Sequence, residues 1–231
     1  SDSGMASIFL QNLAVMVVAI PLLLAAIVAV VPVPRLAWML ALAGIGGSFL
    51  AAILLQSITQ SVGRVTYHLG NWEPPWGIEF VVDSATSLTL VVMSGLAFLA
   101  TLFARGSLLA EINHKDLGKC YAAWLLACGG LFGLVSTGDA FNLFVFLEIS
   151  ALSSVILISM GAGTDRRALS AGFNYLIIGA VGATFYVIGV GFLYAITGTL
   201  NIVDLAARIS DIGGSAALYA GFGFIIAGIM V

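Results

Sequence analysis

Charge is what this chain has least of. Eight Lys and Arg with 11 Asp and Glu make up 8% of its 231 residues, whereas a soluble domain is about a quarter charged. So few charges cannot cover a globular surface. With 61% hydrophobic residues and a mean hydropathy of +1.14, the chain reads as a polytopic membrane protein. No basic cluster suggests nucleic acid, and the net charge of −3 says little, because charge in such a protein matters by location. Cysteine is nearly absent too. Cys120 and Cys128, if on one helix, lie about 12 Å apart, which excludes a disulfide between them and argues against a shared metal. The two histidines, His68 and His114, fall in loops, so paired intramembrane haem ligation has no support. There is no nucleotide-binding loop, zinc-ligand spacing or Ser-His-Asp set, and Gly161-Ala162-Gly163 reads as a plain loop. No cofactor and no metal is expected.

Long apolar runs are what the chain has in place of these. A spanning helix needs about 20 predominantly apolar residues. Six complete spans are expected, near residues 8–31, 36–58, 85–104, 120–137, 140–160 and 171–196, and a seventh starts near Ala216 and still runs at Val231. The fold class is therefore all-α, a transmembrane helix bundle. The uncapped end at Val231 suggests a truncated seventh span. Ser1-Asp2-Ser3-Gly4 before Met5 reads as a cloning remnant, and no basic segment suggests a cleavable signal. The loops after spans one, three and five hold Arg35, Arg105, Lys115, Lys119, Arg166 and Arg167. The others hold Arg64 and Arg208. By the positive-inside rule the first set is cytoplasmic and the N-terminus lies outside.

Within the spans, Gly44, Gly46 and Gly47, the Gly129-xxx-Gly133 pair, and Gly179, Gly182, Gly189 and Gly191 read as close-packing positions. Pro21 predicts a modest kink. The loop from Ser61 to Asp83 carries VTYHL and GIEFVV around GNWEPPWG, which predicts a hairpin with Trp72 and Trp76 at headgroup level. Its His68, Glu73 and Glu79 are expected to be solvated, with an external cation funnel as the alternative. Asp83 is the expected N-cap of span three. After span six, TGTLNIVDLAARI predicts a short surface helix capped by Asn201, with Ile202, Leu205 and Ile209 on one face.

One residue breaks the apolar pattern. Glu148 stands inside FNLFVFLEISALSSVILISM, nine residues past Asp139, about 13 Å deep and near the middle of a roughly 30 Å core. A charge there costs roughly 2.5–3.5 kcal/mol on insertion scales, so intramembrane acids usually carry function. A proton-transfer role is the favoured reading; a protonated acid bonded to a backbone carbonyl is the alternative. No Lys, Arg or His lies inside a span, so the partner belongs to another segment or subunit, or is absent. Asp139, in the turn STGDAFN, is the expected cap of span five, with proton entry as the alternative. Asn142 is a further polar candidate. Ser150, Ser153 and Ser154 fall about 120° or more from Glu148 and are expected to hydrogen-bond adjacent helices. Asn174, Tyr175, Thr184 and Tyr186 are candidates for holding water near the acid.

STGDAFNLFVFLEIS, YHLGNWEPPWGIEFVVDS, FNYLIIGAVGATFYVIGVGFLYAITGTLNIVDLA and GFGFIIAGIMV together resemble the D subunit of the Mrp-type multisubunit Na+/H+ antiporters. That family is similar to the antiporter-like subunits of respiratory complex I and of membrane-bound hydrogenases. The GNWEPPWGIE loop favours the antiporter branch. The resemblance implies about fourteen helices with two inverted five-helix repeats. Residues 5–119 would be the first three helices and 120–231 an incomplete first repeat. It implies that Glu148 relays protons with a lysine of span seven, expected at or just beyond Val231. It also implies a bacterial inner membrane, sister subunits as partners, and protons and monovalent cations as cargo. The chain would be a transporter subunit rather than an enzyme. The rivals are a redox-driven proton pump and a non-transporting structural fragment.

Overall fold

A computed structural model describes residues 2–163 and 165–231, with side chains from Asn12 onward. Of the four residues expected to be a remnant, Ser1 lies outside the described residues, and Asp2–Gly4 are helical backbone. The elements in chain order are α1 (Asp2–Val30), α2 (Pro34–Val62), β1 (Val65–His68), β2 (Glu79–Val82), α3 (Ser84–Glu111), α4 (Leu117–Ser136), α5 (Ala140–Met160), α6 (Arg167–Thr197), α7 (Ile202–Ile212) and α8 (Ala216–Met230). Six of these helices are long and apolar enough to cross a membrane, and α8 is a shorter apolar helix. The bundle architecture is the expected one.

The helices outrun their apolar runs. α3 continues to Glu111 and α4 begins at Leu117, so Arg105 and Lys119 sit on helix ends rather than in a loop. Arg105 places its guanidinium 5.0 Å from the centre of the Trp38 ring on α2. Long basic side chains near a span's end can lie along apolar surface while the charge stays at the interface, so the helix need not stop where the charges start.

α4 is the centre of the first part of the bundle. It is the most buried of the six spans, and its Tyr121, Leu125 and Phe132 pack with Val17 and Val28 of α1 and Ile45 and Leu55 of α2. Its glycines face two ways. A Cβ at Gly129 would come 2.7 Å from Leu22 on α1, and one at Gly130 would come 2.8 Å from the Ser150 backbone N on α5. Gly133 receives the Phe146 ring. At Gly130 the neighbouring backbone, and at Gly129 and Gly133 a neighbouring side chain, leaves no room for a Cβ, which is how small residues hold helices together in lipid. The same device joins α6 to α8: Cβ atoms at Gly182 and Gly189 would meet the carbonyls of Gly228 and Gly221 at 2.9 and 2.6 Å. Gly179 and Gly191 face open space, so the packing role expected of them is not seen. α1 runs through Pro21 as one helix.

The two ends of the bundle differ. One carries the connections α1–α2, α3–α4 and α5–α6. The other carries the β1–β2 hairpin, the α4–α5 turn and the α6–α7 loop. The hairpin is antiparallel, pairing Val65 with Val82 and His68 with Glu79. Trp72 and Trp76, at its tip, are exposed. Asp83 caps α3, its carboxylate accepting from the Thr86 N–H at 2.7 Å. That amide bond holds its carboxyl below the usual carboxylate range.

Candidate functional site

α5 carries the candidate acid, and its two sides are set by its neighbours. Phe146 and Ser150 face α4, and Leu143 and Phe144 pack with Tyr186 and Val190 of α6. Glu148 is about 160° from both Phe146 and Ser150 at 100° per residue, so it projects away from α4. Phe141, Leu152 and Ile156 share its side of the helix within about 80°. They are 44%, 48% and 46% exposed. Glu148 itself is half-buried. It has no ion-pair or hydrogen-bond partner among the described residues, and it lies on a side of the helix that the described residues cover only in part.

The neighbouring polar residues are occupied elsewhere. Ser150, Ser153 and Ser154 donate to the carbonyls of Leu147, Ile149 and Ser150 on their own helix, at 2.9, 2.6 and 2.8 Å. This corrects the expectation of bonds to adjacent helices: the i−3 and i−4 carbonyls are nearer than any partner helix. Thr184 likewise donates to Ala180. Tyr186 donates to the Ala140 carbonyl at 3.1 Å, eight residues before the acid. Tyr175 lines a cavity of about 310 Å³ with Ser150, Gly182 and Gly228, between α5, α6 and α8. Asn174 is exposed on α6.

At the hairpin end the structure assembles a polar knot from three separate segments. Asp139 is buried and caps α5, its Oδ1 accepting from the Asn142 N–H at 2.7 Å. Asn142 Nδ2 donates to Thr137 Oγ1 at 3.0 Å. Burial pushes the Asp139 carboxyl above its ordinary value, partly offset by the amides of Asn142 and Phe141. Asp139 pairs through its backbone with Asn201. Asn201 caps α7 through Oδ1, which accepts from Val203 and Asp204 at 3.1 Å each. Its Nδ2 donates to Glu79 Oε2 at 2.7 Å. The Glu79 carboxylate also lies 3.8 Å from His68 Nε2 and 4.0 Å from an Arg64 guanidinium nitrogen. Its carbonyl accepts from the Gly138 N–H at 2.7 Å.

Glu79 is not the solvated loop acid that its sequence position predicts. It is 8% exposed, because the α4–α5 turn and the α6–α7 loop close over the hairpin. His68 is half-exposed, and Glu73 is exposed at the tip. The role of Asn201 as a cap is as expected; its second bond, to a residue 122 positions earlier, is not visible in local spacing. Leu205 of α7 is buried and Ile209 packs beside it, while Ile202 is 40% exposed. Both cysteines are buried and unpaired, and no group of three or more His, Cys, Asp or Glu suited to a metal occurs among the described residues.

Residues 137–231 match the family described as NADH:quinone oxidoreductase/Mrp antiporter, TM. The segment includes Asp139, Asn142, Glu148 and Asn201. The NADH-quinone oxidoreductase N subunit of Desulforudis audaxviator (strain MP104C) is 44% identical over 163 residues, 71% of this chain and 32% of that protein. The Na(+)/H(+) antiporter D subunit of Bacillus subtilis (strain 168) is 36% identical over 167 residues, 72% of this chain and 33% of that protein. Among solved structures, the Mrp complex from Dietzia sp. DQ12-45-1b matches with a TM-score of 0.82 and 28% identity, over 96% of this chain and 40% of that one. The chain spans about a third of the length of these curated relatives. It resembles the D subunit of the Mrp-type antiporters, in a superfamily shared with the antiporter-like subunits of complex I.

Proposed function

We propose that this chain is part of a proton-translocating subunit of a multisubunit monovalent cation/proton antiporter in a bacterial inner membrane. Glu148 is its proton-carrying group. The observation that carries this reading is a carboxylate at mid-depth of an apolar span, without a partner among the described residues, inside the segment that matches the NADH:quinone oxidoreductase/Mrp antiporter family. A carboxylate at that depth is costly unless something polar meets it there. The resemblance supplies the missing element, a lysine of the seventh span.

The mechanism follows from that pairing. A lone acid in a low-dielectric setting favours its protonated form, and a cation brought beside it favours the ionised form. Two unit charges about 4 Å apart interact by about 4 kcal/mol at an effective dielectric of about 20, enough to decide whether the acid keeps its proton. In this reading, movement of that lysine is coupled to proton transfer at Glu148. Asp139 and Asn142 act differently in this reading. Both are committed to the turn before α5, and they fix where that helix starts and so the depth of the acid.

The Glu148→Gln variant in the full-length complex tests the proposal. Cation/proton exchange in inverted vesicles should be lost while assembly is kept; exchange at the parental rate defeats it. The second reading, a subunit of a redox-driven proton pump, is favoured by the similarity to an NADH-quinone oxidoreductase subunit. It uses the same acid with another energy source. Co-purification with iron–sulfur proteins supports the pump, and co-purification with small membrane subunits alone supports the antiporter.

A further inference from the structure

A groove of about 850 Å³ runs between α2 and α3, lined by Arg35, Trp38, Ala43, Gly46, Phe98 and Arg105 among others. Its volume lies within the roughly 300–1,000 Å³ of ordinary ligand sites. Its two ends differ in chemistry. Arg35 is in the first turn of α2, and Arg105 is six residues before the end of the antiparallel α3, so both guanidinium groups stand at the same rim. The rest is apolar. Its far wall reaches Leu50, fifteen residues from Arg35 and so about 22 Å along the helix. One leaflet's share of a roughly 30 Å hydrocarbon core is about 15 Å.

The lining is built rather than accidental. Trp38 Nε1 donates to the Thr101 carbonyl at 2.9 Å, which fixes the ring that Arg105 covers. Gly46 leaves space in front of the Phe98 ring, where a Cβ would come within 3.2 Å. Phe98 is in turn stacked on Phe49 with centroids 6.2 Å apart. The ion pairs among the described residues use Arg64, His68, Lys119, Arg167 and Arg208, so neither Arg35 nor Arg105 has a carboxylate partner among them. The same two arginines, with His114 and Tyr121, border an adjoining cavity of about 250 Å³. The cavity between α3, α4 and α5, lined by Ala100, Leu108 and Trp124, offers no cation.

We infer that the α2–α3 groove binds an anionic phospholipid, with its phosphate on Arg35 and Arg105 and one acyl chain laid along Trp38, Gly46 and Phe98. Two cations without acid partners among the described residues, at the mouth of an apolar trough, match a negative headgroup joined to a hydrocarbon tail. Basic pockets between transmembrane helices select anionic headgroups on this principle. A zwitterionic lipid fills the trough equally well but brings its own cation to the arginines. The occupant is therefore chosen by charge at the rim and admitted by shape below it.

Native mass spectrometry of the intact protein, titrated with phosphatidylglycerol or phosphatidylcholine of identical chains, tests this. Retention of phosphatidylglycerol about tenfold tighter or more is expected, on the scale of one lost headgroup contact to a cation. The double variant Arg35→Gln/Arg105→Gln should bring the two lipids near parity, and Gly46→Leu should weaken both lipids while the arginines remain. Both arginines are exposed, so the double variant tests the idea even if the glycine variant misfolds. Parity in the parent, or undiminished selectivity in the double variant, overturns the proposal. Binding of inorganic phosphate as tight as that of the lipid also overturns it, as does a cross-link from Ala43→Cys to another polypeptide in the assembled complex.

Discussion

Two acids of this chain are held in opposite ways. Glu79 begins in a hairpin, where water is at hand, yet it is buried and bonded to Asn201, with His68 and Arg64 close by. Glu148 sits in the middle of an apolar span and has no such partner among the described residues. A structural acid is recognised by its satisfied bonds, since breaking a buried polar contact costs the desolvation of what remains. A working acid must keep its bonding free enough to change. The contrast is what our proposal rests on: Glu79 holds the fold, and Glu148 is the proposed proton-carrying group.

The largest effect should come from Glu148→Gln. Loss of exchange by more than about tenfold in vesicles is expected, with a stability change under about 0.5 kcal/mol, because no bond is removed. A variant that is clearly destabilised yet exchanges at the parental rate would invert the contrast. Next is Asn201→Ala, which removes the α7 cap and the donor to Glu79. A cap is worth about 1 kcal/mol, and a buried acceptor left unpaired costs about 1–3 kcal/mol. Destabilisation of about 2–4 kcal/mol in detergent unfolding curves is expected from the two together.

Asp139→Asn gives a smaller, pH-dependent effect. Burial raises the native-state carboxyl above its unfolded value, so its favourable linkage is full below the unfolded value and is lost as pH rises through the native one. Asparagine caps about as well as aspartate and does not ionise. The variant should gain melting temperature over the parent at about pH 7 and gain little at about pH 4, near the unfolded carboxyl value. Equal differences at both pH values would remove burial as the cause. Smallest of all is Ser153→Ala. Its hydroxyl bonds only within its own helix, so stability should shift by no more than about 0.5 kcal/mol.

The same physics decides which features the sequence reveals. The spans are readable because each is a continuous apolar run of bilayer length, and the depth of Glu148 follows from counting residues after Asp139. The caps Asp83, Asp139 and Asn201 are readable because capping is local. Arg105 reads as a loop residue because apolar runs end before helices do. Burial of Glu79 is out of reach, since it depends on an amide 122 residues later in the chain. An asparagine at 201 followed by hydrophobic residues at 202, 205 and 209 announces a helix start; nothing nearby announces what else that side chain holds.

The reach of that bond also sets an order of events during synthesis. At about 5–20 residues per second, the stretch between Glu79 and Asn201 takes roughly 6–25 s to emerge. For that interval the Glu79 carboxylate lacks its Asn201 donor, while the turn before α5 can already reach the hairpin through the Gly138 N–H. The loop after α6 adds the last of these bonds, so a ribosome paused before residue 201 leaves the Glu79 carboxylate without its amide donor even though Phe80 and Val82 belong to the core built around α4.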